Sequence, residues 1–121
     1  MTDLDELAID LKRVGREVGK ALNKAAGDLA RDGNRDGKAF ARESAGSHGH
    51  LYPRAWKVEK LGSADFVFGP DPSMPQGDMN FETGSRNQKP HLDGQRAGDL
   101  VESRAERAVS AAVDPILRLL G

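Results

Sequence analysis

Apolar residues recur at Leu4, Leu7, Leu11, Val14, Val18, Ala21, Ala25 and Leu29, in alternating steps of three and four. That spacing predicts one helical stripe, since residues three and four apart share a face. Thr2 or Asp3 can cap the start, and Asp5 and Glu6 in the first turn suit the helix dipole. The stripe is narrow and repeats close to 3.5, so it can pack against a partner helix over about six turns. Gly33 and Gly37 loosen the pattern, while Phe40 continues the same face. The expected helix runs from about 4 to 31, with 42 as the longer alternative.

Residues 43–50, Glu-Ser-Ala-Gly-Ser-His-Gly-His, read as a polar loop. After Tyr52 and Pro53 the period changes to two. Trp56 and Val58 alternate with Lys57 and Glu59, the run Leu61, Gly62, Ser63, Ala64 reads as a turn, and Phe66-Val67-Phe68 returns as a second strand. Three of the six prolines fall within residues 69–78, which excludes regular structure there. Residues 79–82 form a short third strand. A second helical stripe follows at Ala97, Leu100, Val101, Arg104, Ala105, Ala108, Val109, Ala112, Ile116, Leu117 and Leu120, with Asp93 as N-cap. Pro115 lacks the amide that would bond to Ala111, so it should kink this helix or open a separate last turn. The expected fold is α+β, a single domain over 1–121: a long N-terminal helix, a three-stranded antiparallel sheet with long loops, and a long C-terminal helix.

Composition sharpens this picture. Hydrophobic residues make up 37% and aromatics 5%, against 31% charged, so 121 residues support only a thin core. Long helices over a thin core imply that neighbouring subunits supply part of the stability. Net charge is −1, giving no global field for nucleic acid or membrane. The distribution is uneven, however. Residues 1–10 carry four acids and no base, and residues 11–42 carry nine bases against four acids. The absence of cysteine excludes disulfides, thiol catalysis and thiolate metal sites. With no 18-residue apolar run and no signal-peptide pattern, a soluble protein made in a cytoplasm is expected.

Candidate chemistry is sparse. His48 and His50 flank a glycine and His91 lies far downstream, but a Gly-rich loop is a poor frame for a metal, and a surface loop is favoured. Asp71, Asp78, Glu82 and Asp93 can supply carboxylates, yet nothing fixes two of them at a useful separation. Ser44, Ser47 and Ser85 lack any nucleophile-elbow context. Gly84-Ser85-Arg86 can cradle an anion through its amides, although a turn with Gly84 at positive φ accounts for it more simply. Trp56, Phe66, Phe68 and Phe81 read as the core face of the sheet rather than a base-stacking platform. Arg104 falls on the second apolar stripe, where a buried guanidinium needs a partner such as an interface carboxylate.

The most specific segment is "FETGSRNQKPHL", residues 81–92: an apolar strand end, an acid, a Gly-Ser turn, and a proline leading into the last helix. It resembles the signature of the tail-component (neck) family of siphophages, the head-to-tail connector of actinobacteriophage type. "HGHLYPRAWKVE" at residues 48–59 is similar to that family's loop into its first strand. Residues 68–99 are similar to its central signature and helix start. Lys89 before Pro90, and Gly94 near the helix start, depart from the pattern. The resemblance implies a structural virion protein at the head–tail junction, not an enzyme, made in the host cytoplasm. It implies a homo-oligomeric ring that meets other neck proteins (portal, adaptor or stopper on one side, tail terminator or tail tube on the other), with genomic DNA passing through its lumen. It implies no cofactor, no metal, no small-molecule substrate and no membrane. Phe81, Glu82, Gly84, Ser85, Arg86, Pro90 and Leu92 are then the candidate corner and subunit-interface residues. The alternative is a small DNA-binding or regulatory protein using the basic segment 11–42, and a metal-dependent hydrolase using His48, His50 and Glu82 ranks last.

Overall fold

The computed structural model describes residues 3–46, 49–77 and 92–120. Helix α1 spans Asp3–Ala45, 43 residues and about 65 Å at 1.5 Å per residue. It therefore takes the longer of the two expected extents and adds three residues of the supposed 43–50 loop. Gly46, at φ +62°, ends it in the left-handed conformation that glycine adopts without a Cβ penalty. A 3₁₀ turn, Pro53–Ala55, leads into the hairpin of β1 (Trp56–Gly62) and β2 (Asp65–Pro70). These strands pair antiparallel, with Trp56 opposite Pro70, Val58 opposite Phe68 and Lys60 opposite Phe66. Gly62 pairs with Asp65 across a two-residue turn, and the register shifts between Lys60 and Gly62. Ala64 in the turn has φ +55°, and its N–H donates to Asn23 Oδ1 of α1 at 2.9 Å. The hairpin tip is thus tied to the long helix.

Among the described residues the sheet has two strands, not three. The expected third strand, 79–82, lies outside them.

Gly33 and Gly37 explain how the hairpin sits on α1. A Cβ at Gly33 would come within 2.6 Å of the Phe68 ring and 2.7 Å of Val101, and one at Gly37 would run into the Trp56 indole. Gly27 meets Phe66 in the same way at 3.2 Å. Small positions on α1 therefore receive a row of aromatic rings from the hairpin. Trp56 is 1% exposed, and Tyr52 packs edge-on against it with ring centroids 6.0 Å apart. With Ala41 these form the buried cluster, and Phe68 and Ala45 pack at its edge. The aromatics Trp56, Phe66 and Phe68 do form the core face of the sheet, as their alternation predicted.

Helix α2, Asp93–Leu117, lies antiparallel along α1. Asp93 meets Ser44, Arg96 stacks over Phe40, and Arg104 pairs with Asp36. Leu119, in a closing 3₁₀ turn Arg118–Leu120, reaches the neighbourhood of Leu7 and Val14. The helical hydrogen-bond pattern continues through Pro115 for two residues, and the last turn tightens only at Arg118. Asp93 is not the cap. Leu92 holds that position at φ 56°, ψ 32°, and Asp93 is the first helical residue.

Candidate assembly interface

Of the corner residues, Phe81, Glu82, Gly84, Ser85, Arg86 and Pro90 lie outside the described residues. Leu92 is described: it is 41% exposed, left-handed, and its carbonyl accepts the Arg96 N–H at 2.9 Å. Beside it, the Asp93 side chain is fully buried and accepts the Ser44 hydroxyl at 2.7 Å, with Arg96 at 4.0 Å. The C-terminal end of the corner is therefore anchored to the end of α1. Arg96 gains a second contact by placing its guanidinium 3.9 Å from the Phe40 ring centre.

Of the candidate catalytic groups, the described residues bring together only Ser44 and Asp93, whose contact joins α1 to α2. His48 and His91, with Asp78, Glu82, Ser47 and Ser85, lie outside the described residues, and His50 is exposed. No cluster of three metal-ligating side chains occurs among the described residues. Asp71 is committed to structure: Lys57 pairs with it, and the Ser73 backbone N–H and hydroxyl both donate to its Oδ1 at 2.9 Å. The Lys57 contact and then the Ser73 bonds hold this carboxyl down at about 2. In return, the contact with Asp71 raises the Lys57 pKa.

Arg104 is half exposed and pairs at 3.0 Å with Asp36 of the same chain. The carboxylate expected across an interface comes from α1 instead.

Five of the nine bases in residues 11–42 pair with acids of the same helix. Arg13 pairs with Asp10, Lys20 with Glu17, Lys24 and Arg31 with Asp28, and Arg35 with Asp32. Lys24 first, then Arg31, lower the Asp28 pKa. Residues 17–36, with four bases and four acids, offer little net field to DNA phosphates, and the basic excess lies on either side of them.

One cluster stands apart. Lys38 and Arg42, one turn apart on α1, converge with His50 and Arg54 around a shallow depression floored by Pro53. None of the three cations forms an ion pair among the described residues, and no acid lines the depression. The spacing of Lys38 and Arg42 was legible in the sequence; the arrival of Arg54 depends on the turn after Gly46.

The other unusual surface is apolar. Leu4 is 70% exposed, Ile9 63% and Leu119 80%, and Leu7, Leu11 and Leu117 are each about half exposed. Leu7 and Leu119 line one hollow where the start of α1 meets the end of α2, Leu4 and Leu11 share the helix face of Leu7, and Ile9 lies on the opposite face. Among the described residues, no helix is long and apolar enough to cross a membrane. Scans against protein-family models, curated proteins and solved structures return no match for this chain.

Proposed function

We propose that this chain is a structural protein of the virion neck, forming or decorating a ring that joins the capsid portal complex to the tail tube. The observation that carries it is the apolar surface left open where α1 begins and α2 ends. Single exposed leucines are ordinary on a monomer, but Leu4, Leu7 and Leu11 share one helix face and Leu119 of α2 lines a hollow with Leu7, and such a group marks a contact surface.

The resemblance of residues 48–59 and 68–99 to the siphophage tail-component family supplies the place in the virion. On this proposal the partners are further copies of the chain, portal-side adaptor or stopper proteins, and the terminator or tube on the tail side. Genomic DNA passes through the lumen, and no cofactor or small-molecule substrate takes part. The corner residues of 81–92 are the chain's proposed contact with a neighbouring subunit.

The test is the native mass of the purified protein, alone and after mixing with tail-less heads. A discrete ring, or co-sedimentation with heads, is the expected result. A monomer at every concentration that ignores heads would overturn the proposal.

A further inference from the structure

On α1 the unmatched acids Asp5 and Glu6 stand near one end and the unmatched bases Lys38 and Arg42 near the other, where Glu43 is also unmatched but does not line the depression. Asp5 and Glu6 are exposed and make no ion pair among the described residues. Lys38 and Arg42, with Arg54 and His50, form the basic depression at the far end. Lys12 and Arg16 are also unpaired, but they stand exposed on the open outer part of the helix. Between the two ends, bases and acids cancel locally.

The two unmatched groups cannot meet within one chain, because more than thirty residues of continuous helix hold them about 50 Å apart. We propose that the basic depression of Lys38, Arg42, His50 and Arg54 is the docking site for the acidic start of α1 from a second copy of this chain. The inference rests on the assembly proposed above and names its contact.

One feature besides charge favours a second copy as occupant. The docking segment carries exposed Leu4, Leu7 and Ile9 among its acids, so association also removes apolar area from water. Charge then fixes which end meets which. Two different surfaces of one subunit are joined, the heterologous contact from which rings are built.

The experiment is sedimentation velocity at ~50 mM and ~500 mM salt, a range over which screening of exposed charges rises steeply. Four samples are compared: the native chain, the chain with Asp5→Lys and Glu6→Lys, the chain with Lys38→Glu and Arg42→Glu, and an equimolar mixture of the two variants. The native chain should associate and weaken in high salt. Each variant alone should associate at least ~10-fold more weakly, and the mixture should recover association, because each reversed surface finds its complement on the other chain. Recovery also shows that both variants fold. Native association that the reversals leave unchanged overturns the proposal, as does a mixture that stays dissociated. Duplex DNA bound by the native chain and lost with Lys38→Glu and Arg42→Glu, while association persists, assigns the depression to phosphate and likewise overturns it. A native chain that is monomeric throughout removes the assembly reading itself, which separates that failure from the others.

Discussion

At the scale of single residues, Gly37 and Asp71 give the sharpest expectations. The Trp56 indole occupies the space a Cβ would need at Gly37, and Trp56 is the largest fully buried side chain. Gly37→Ala should therefore cost about 1–3 kcal/mol through overpacking, despite the better helix propensity of alanine. Gly15, with open space around its missing Cβ, is the internal control: Gly15→Ala should stabilise the isolated chain by about 1 kcal/mol. Urea denaturation of the two variants reads both signs in one experiment. Asp71 carries a pH expectation. Its carboxyl lies below the ordinary 3.8, at about 2, held there by Lys57 and Ser73. A depressed carboxyl stabilises the fold above its unfolded value and loses that contribution as pH falls through its folded value. The stability gap between the native chain and Asp71→Asn should be full near pH 5 and close between about pH 4 and 2. A gap independent of pH over that window would show that Lys57 and Ser73 do not hold the carboxyl in its charged form.

At the scale of elements, the two helices and the hairpin were legible because each has a clean period. The steps of three and four marked α1 and α2, and the alternation of Trp56 and Val58 marked β1. The far half of α1 was harder to read because its contact face is built from absences. Gly33 and Gly37 look like helix breakers in a linear sequence, and only the rings of Phe68 and Trp56 show why the helix keeps them. At Pro115 the helix continues for two residues before a separate 3₁₀ turn opens at Arg118, later than the proline alone would place it. The join between α1 and α2 was also hidden, because Ser44 and Asp93 are 49 residues apart in sequence. That hydroxyl is a hydrogen-bond donor to a fully buried carboxylate. Ser44→Ala should therefore destabilise the chain by about 1–3 kcal/mol, whereas Ser103→Ala, at an exposed hydroxyl bonded only to its own helix, should stay within about 0.5 kcal/mol. Equal losses at the two sites in thermal denaturation would mean that Asp93 does not tie the helices together. The basic depression was only half visible for a similar reason: Lys38 and Arg42 share a helix face, but Arg54 arrives through a turn that no period encodes.

At the scale of the whole molecule, the described residues bury little beyond Tyr52, Trp56 and a set of alanines, while leucines at both helix ends face water. On the proposed assembly, so small a core is supplemented by association, and the melting point should then rise with the protein's own concentration. The exposed leucines separate this source from the intrachain core. Leu4→Gln, Leu7→Gln and Leu11→Gln together remove apolar groups that are at least half exposed in the single chain. In dilute protein each should change stability by no more than about 0.5 kcal/mol, since surface substitutions away from core, caps and ion pairs rarely do more. In concentrated protein the native chain should melt higher than it does when dilute, and the triple variant should show no such rise. Calorimetry over a hundredfold range of concentration measures both. If the triple variant melts early even when dilute, these leucines support the helix pair of the single chain. A loss confined to high concentration places them between subunits, where exposed leucines on a narrow helical stripe find their burial.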